Sequence, residues 1–287
     1  MWFKKKRIQE VLGINERNAS FIYPNNPRKH YKLADDKVMS KTILHEYNIP
    51  CAKTYAVIER IGDIVSVWKT LDAYDTLAIK PSKGFGGGGI KILRKDGEGR
   101  WVSGGKVIED EQVYHHMANI IMGIYSLGGK DRVLIEECIE PHPFFHEIYP
   151  SGVPDFRVIL LNQKPLMSML RVPTKKSNGK ANLHQGGIGI GIDMKNGVLT
   201  QGYDGSHYMD LHPDSQSLIA GKAIPFWEEI LKISIETSKH FPLNYLGVDI
   251  VLDAKKGPMI MEVNVRPGLG IQLVNKTGLK KTLQQVG

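Results

Sequence analysis

The chain has 287 residues, 41% of them hydrophobic and 24% charged, which is an ordinary globular composition. Lysine and arginine number 38 against 30 aspartates and glutamates, a formal charge of +8 that favours anionic ligands such as nucleotides, acidic peptides or nucleic acid without choosing among them. Two cysteines, Cys51 and Cys138, exclude a disulfide framework and a cysteine metal cluster; with no apolar run near the ~18 residues of a membrane span and no signal-peptide stretch, a cytoplasmic location is expected.

From the N-terminus, "KKKR" (4–7) reads as a solvated first helical turn, with acidic lipid or a partner as the alternative. Residues 1–35 are polar and carry the turn cluster "YPNNPRKH". Val38, Ile43, Leu44 and Tyr47 recur at helical spacing until Pro50. Strands follow at Thr54–Ile58 and Thr76–Lys80, and "IKILR" with "RWVSG" flank "KDGEG" as a β-hairpin. A helix over "IEDEQVYHHMANIIMGIYSL" leads to a buried strand at "RVLIEECIE", then strands at Phe156–Leu161 and Leu166–Arg171. Pro173 to Gly191 is polar and glycine-rich. "IPFWEEILKISIETSKHF" is an amphipathic helix with Ile224, Trp227, Leu231, Ile235 and Ser238 on one stripe, and its aromatics are core. Strands Tyr245–Leu252 and Met259–Val265 precede a short helical tail. Strands and helices mix without strict alternation, so the fold class is α+β with subdomains.

Two stretches carry chemistry. The first is "AIKPSKGFGGGGI" (78–90), where Lys80 ends a strand before five glycines in six residues. Glycine gives no side chain to a core, but its backbone N–H groups can approach a phosphate closely, with a lysine as counter-charge. Gly84, Gly86 and Gly89 match G-x-G-x-x-G, yet a strand follows where a dinucleotide site needs a helix. There is no G-K-[ST], and a kinase would place its lysine after the loop. A glycine hairpin lid over a triphosphate is the reading that remains.

The second is the closing hairpin "YLGVDIVLDAKKGPMIMEVNVRPG" (245–268). With "AKKG" (254–257) as its loop, Asp253 faces Pro258 and Asp249 falls opposite Glu262. Asp249, Glu262, Asn264 and Arg266 then share one face, with Val248, Ile250, Leu252, Met261, Val263 and Val265 on the core face. Two carboxylates ~4.5–5.5 Å apart repel by about 3–4 kcal/mol at an effective dielectric of 20. A divalent cation would offset this, and oxygen-only ligands suit Mg²⁺ completed by phosphate.

A lysine before a glycine-rich hairpin, "DFR" at 155–157 and "GVD…MEVN.RPG" together resemble the ATP-grasp superfamily, and the closest branch looks like the α-L-glutamate ligases (RimK-like). The similarity runs from "DDK" (35–37) to "NKTG" (275–278), with "NLHQGG" (182–187) specific to that branch. The resemblance implies an ATP-grasp fold of two α+β subdomains clamping ATP: a segment 1–36, a glycine-hairpin subdomain about 52–135 and a catalytic subdomain about 136–287. It implies that Lys37 and Lys80 contact the phosphates beneath Gly84, Gly86, Gly87, Gly88 and Gly89. Glu136, Glu137 and Ile139 correspond to the adenine-reading linker and Asp155 to the ribose acid. Arg157, Arg171 and Asn182 correspond to phosphate and intermediate contacts. Asp249, Glu262 and Asn264 correspond to ligands of Mg²⁺, two ions in number, with Mn²⁺ as a substitute.

The activity so implied is an ATP-dependent carboxylate–amine ligase that works through an acylphosphate. It would add a glutamate-like amino acid to a peptide, protein or small carboxylate. Alternatives are an ATP-grasp enzyme of cell-surface polysaccharide or sugar-transfer pathways, and a nucleotide-binding regulator without chemistry. Three features depart from the glutamate ligases: only 34 residues precede "DDK", Gln185 replaces an arginine, and Arg266 replaces a small residue as an added cation. No aromatic-interleaved basic stripe or familiar motif supports nucleic-acid binding. "YHHM" (114–117) reads as a surface pair on its helix.

Overall fold

Two sheets with antiparallel pairing throughout organise the computed structural model, which describes residues 9–84 and 86–286. "KKKR" and Phe85 lie outside the described residues. The chain divides into two compact units: a smaller one of Asp36–Val38 and Ala52–Ile139, and a larger one of the residues to Asp35, Met39–Cys51 and Glu140 onward. The N-terminal segment thus groups with the C-terminal half, and the helix Lys37–Glu46 (α1) starts in one unit and continues in the other.

In the smaller unit, β1 (Thr54–Ile58), β2 (Thr76–Pro81), β3 (Lys91–Lys95), β4 (Trp101–Ser103), β5 (Lys106–Val107) and β6 (Val133–Glu136) form one sheet, ordered β1-β6-β2-β3-β4-β5. The two-residue period of β2 puts Leu77 and Ile79 on the covered face and leaves Lys80 on the other. Helix α2 (Ile64–Lys69) contributes Ile64 and Trp68 to that core. Helix α3 (Asp110–Ile121) buries Val113, Met117 and Ile120, spaced four and three apart. Each such side chain contributes roughly 1.5–3 kcal/mol by leaving water.

The larger unit carries β7 (Asp155–Leu161), β8 (Lys164–Val172), β9 (Ile188–Asp193), β10 (Val198–Tyr203), β11 (Tyr208–Met209), β12 (Tyr245–Asp253) and β13 (Gly257–Asn264), ordered β11-β10-β9-β8-β7-β12-β13. Helix α4 (Trp227–His240) packs on β7, β8, β12 and β13, and helix α5 (Leu279–Val286) packs on β8. Phe156, Val158, Val248 and Ile250 are paired in register and form the apolar face. The opposite face, also by register, holds Asp155, Arg157, Arg171, Gly247, Asp249, Glu262 and Asn264.

Three differences from the sequence reading have physical causes. The polar stretch expected over 173–191 ends in β9, whose glycines permit close packing: a Cβ at Gly189 would meet Val274 at 2.5 Å, and one at Gly191 would meet Thr200 at 2.4 Å. The buried residues of α4 are Trp227, Ile230, Ser234, Thr237 and Ser238; Trp227 and Ser238 of the expected stripe hold, while Leu231 and Ile235 are only partly buried against the core, because the packed face is wider than one row of residues. In the closing hairpin Asp253 faces Gly257, not Pro258. One extra residue on β13, a β-bulge at Met261, restores the expected pairing of Asp249 with Glu262.

Short helical turns at Ile14–Arg17, Tyr23–Asn25 and Lys32–Asp35 lie on the larger unit. Asn26, 1% exposed, donates to the Tyr245 carbonyl (2.6 Å) and accepts from the Tyr245 N–H (2.9 Å), completing the start of β12 where β13 does not reach. Asn26→Ala strands both backbone groups in the interior. The expected loss is about 2–6 kcal/mol in a urea titration, from two unmet groups at about 1–3 each. A change under 0.5 kcal/mol would contradict this role.

Candidate active site

In the smaller unit, the β2–β3 connection is the glycine hairpin, closed by pairing of Ile79 with Lys91. Gly86, Gly87 and Gly89 have φ of 62°, 72° and 74°, left-handed values that disfavour side chains. A Cβ at Gly84 would overlap Pro81 (2.2 Å). Lys37 Nζ donates to the Gly84 carbonyl at 2.7 Å, and Lys80 forms a salt bridge with Glu136 at the end of β6. Glu137 accepts from the Lys53 N–H at 2.8 Å, and Ile139 closes the unit.

Sequence reasoning missed what holds this hairpin. Asp36, buried, accepts two bonds from Arg132 Nη2 (both 2.7 Å) and one from the Ser82 hydroxyl (2.5 Å), while the Lys37 N–H donates to the Ser82 carbonyl (2.9 Å). This network fixes Lys37 against the loop, and the acidic residue before the lysine in "DDK" was its only trace in the sequence. His116 was read as a surface residue. Its Nε2 lies 2.9 Å from the Gly89 carbonyl as donor, and the Tyr125 ring packs on Gly89, where a Cβ would approach to 2.6 Å. Burial, with Lys91 nearby, lowers the His116 pKa, so the imidazole is neutral at pH 7.

In the larger unit, Asp249 is 0% exposed and accepts four side-chain hydrogen bonds. Arg157 Nε (2.8 Å) and Nη2 (2.6 Å) grip it as a fork, Arg171 Nη2 adds a bond at 2.7 Å, and Asn264 Nδ2 one at 3.1 Å. Arg171 Nε also donates to Asp155 at 2.6 Å, so two acids and two guanidiniums form one buried cluster. Asp249 and Arg157 are register partners on β12 and β7, and Asp155 and Arg171 on β7 and β8, so the sheet itself places every member. Burial pushes both carboxyls up. At Asp249 the Arg157 and Arg171 charges outweigh burial and hold the acid low; at Asp155 burial, backed by the Asp249 charge, outweighs Arg171 and raises it. Burial disfavours the Arg171 cation as well, but the two carboxylates keep it charged.

The repulsion expected between Asp249 and Glu262 is therefore met by guanidiniums of the chain itself and does not by itself require a metal. The donors on this face still suit Mg²⁺ in kind, being two carboxylates and an amide oxygen. Among the described residues no three His, Cys, Asp or Glu side chains form a metal-holding group. Since the Asp249 oxygens already take four donors, Glu262 and Asn264 are the side chains suited to hold a cation, with Asp249 adding charge. Asn182 Oδ1 accepts from the His184 N–H (3.0 Å) and caps the turn Leu183–Gln185. Arg266 is exposed, its guanidinium 4.9 Å from the centre of the Tyr31 ring.

A family model described as sugar-transfer associated ATP-grasp matches residues 16–287. The chain belongs to this family. No curated protein matches in sequence. Among solved structures, this sugar-transfer associated ATP-grasp chain is similar to the D-alanine–D-alanine ligase of Bacillus anthracis complexed with ATP (17% identity, 88% of this chain and 65% of that one, TM-score 0.51). It is also similar to the D-cycloserine synthetase DcsG (13%, 91% and 71%, 0.53) and to the D-alanyl-alanine synthetase A of Vibrio cholerae O1 biovar eltor str. N16961 (12%, 88% and 63%, 0.52). At these identities the likeness shows the fold, which is ATP-grasp. The chain spans 66% and 65% of the length of the two Bacillus anthracis structures it matches. The superfamily expected from the sequence holds, while the matching family model is the sugar-transfer associated one and does not confirm the glutamate-ligase branch.

Asp249→Asn leaves two buried guanidiniums facing one carboxylate. Breaking a buried pair in this way costs about 3–5 kcal/mol. The double variant Arg157→Gln/Asp249→Asn removes both charges and is expected to lose less than the sum of the single variants in a chemical-denaturation cycle. Strict additivity would contradict the cluster.

Proposed function

We propose that the protein is an ATP-dependent carboxylate–amine ligase. The observation that carries this reading is the family match over residues 16–287, together with the presence in this chain of Lys80, the glycine hairpin, and the Asp249, Glu262 and Asn264 set. In the smaller unit, Lys37, Lys80 and the N–H groups of the hairpin hold the triphosphate, and Glu137 and Ile139 flank the adenine. In the larger unit, Asp155, Arg157 and Arg171 set the charge around the transferred phosphoryl group and the substrate carboxylate. Glu262 and Asn264 hold Mg²⁺, which when bound neutralises phosphate charge and orients the phosphates. Whether one or two ions bind, and whether Mn²⁺ serves, belongs to the same proposal.

A carboxylate oxygen attacks the γ-phosphorus and ADP departs, giving an acylphosphate. An amine then attacks the acyl carbon, phosphate leaves, and the amine gives up a proton. The chain's residues act by positioning and fixed charge rather than as nucleophiles. The family description favours a substrate that belongs to a saccharide-building system. Glutamate as the incoming amine, on a peptide or protein carboxylate, is the competing finer reading. No helix among the described residues is long and apolar enough to cross a membrane.

ATP with Mg²⁺ is expected to stabilise the protein by ~2.7 kcal/mol at a hundredfold excess over Kd, and a chelator is expected to reduce this effect. Melting curves that are the same with and without ATP would overturn the nucleotide site. With ATP, Mg²⁺ and an accepted carboxylate, hydroxylamine is expected to yield a hydroxamate, with equal ADP and phosphate. A stable phosphate ester and no hydroxamate would make the enzyme a kinase. Lys80→Ala is expected to weaken nucleotide binding, and Glu262→Gln to abolish turnover with binding retained.

A further inference from the structure

Arg17 is 7% exposed, and its guanidinium has no carboxylate partner among the described residues. It donates only to neutral oxygens: Nη1 to the Pro267 carbonyl (2.8 Å), and Nε and Nη2 to Asn18 Oδ1 (3.1 and 2.9 Å). A buried cation without a counter-ion is costly, and a neutral donor would serve Pro267 equally well. Burial lowers the Arg17 pKa, and the approach of Arg266 lowers it further. A second cation, exposed and over Tyr31, therefore neighbours the first. Two hydroxyls add to the pattern: those of Tyr245 (0% exposed) and Tyr31 (7% exposed) are buried without a hydrogen-bond partner among the described residues. Tyr245 is an electrostatic neighbour of Arg17, and Tyr31 lies under the Arg266 guanidinium.

Two adjacent cations and two unmet phenols, with no acid among them, make a set that an oxyanion would complete. We propose that Arg17, Arg266, Tyr31 and Tyr245 bind an oxyanion of the substrate, a carboxylate or phosphate remote from the carboxylate that reacts. Tyr245, Gly247 and Asp249 lie on one face of β12, four residues or ~13 Å from end to end at 3.3 Å per residue. Pro267 closes over Gly247, where a Cβ would meet it at 2.6 Å. The strand register therefore separates the proposed oxyanion site, at the Tyr245 end of β12, from the reacting end beside Arg157 by about that distance. That the anion belongs to a substrate rests on the ligase reading; that the four side chains bind an oxyanion does not.

The test uses inorganic phosphate and glutarate as probes, with chloride at equal ionic strength as control, read by thermal shift. Wild type is expected to rise in melting temperature with at least one probe and not with chloride, and the responding probe names the anion class. Tyr245→Phe removes an unmet buried hydroxyl, and Arg17→Gln removes the unpaired charge while keeping a donor for the Pro267 carbonyl, so without probe they are expected to melt at or above wild type. Both, and Arg266→Gln, are expected to need about tenfold or more probe for half the shift, while ATP with Mg²⁺ protects them as it does wild type. Absence of any wild-type response, or variants that respond as wild type does, would overturn the site. So would lower melting temperatures of both Tyr245→Phe and Arg17→Gln without probe, which would mark purely structural groups. If wild type binds ATP but no probe, this proposal alone fails; if it binds a probe but no ATP, the ligase reading alone fails.

Discussion

The bidentate pair between Arg157 and Asp249 is the interaction on which the larger unit's polar face depends. A carboxylate this deeply buried is tolerated only with counter-charge, and β7 and β8 bring two guanidiniums to it through their register with β12. Once Asp249 is neutralised, Glu262 can stand opposite it and Asn264 can bond to it without the repulsion that two opposed acids would suffer. The charged set is thus built on strands, not loops, and its geometry is as firm as the sheet. That rigidity is what stabilising a highly charged transition state requires.

The smaller unit solves the opposite problem, since its glycines supply mobility as readily as N–H groups. Loss of backbone freedom there is offset by contacts from outside the loop: Lys37 on Gly84, His116 and Tyr125 on Gly89. Asp36 and Arg132 in turn fix the segment that carries Lys37. Each is a side chain from another part of the chain ordering a stretch that is nearly all glycine.

Much of this was legible in the sequence, because strand periodicity is a local property. The alternation in "GVDIVLD" and "MEVNV" placed Asp249 against Glu262, a strand after the glycines excluded a dinucleotide loop, and the absence of G-K-[ST] excluded a Walker loop. What was not legible depended on distant partners. The bulge at Met261 changes no residue type, and β9 hides behind glycines selected by the closeness of Val274 and Thr200. The guanidinium neutralisation of Asp249 was beyond reach because it needs the β7–β12 pairing across some 90 residues. Asn26, His116 and Arg17 have ordinary sequence surroundings, and only the tertiary structure brings them to a strand start, a glycine and a buried carbonyl.

The central claim is that the Arg157–Asp249 cluster serves a metal-bound nucleotide and is not only a structural ion pair. Titration calorimetry of a non-hydrolysable ATP analogue with Mg²⁺, on wild type and on the charge-balanced double variant Arg157→Gln/Asp249→Asn, tests it most directly. A folded double variant that has lost Mg²⁺-dependent binding is the result the account predicts. Binding to that variant with wild-type affinity and wild-type Mg²⁺ dependence would contradict it.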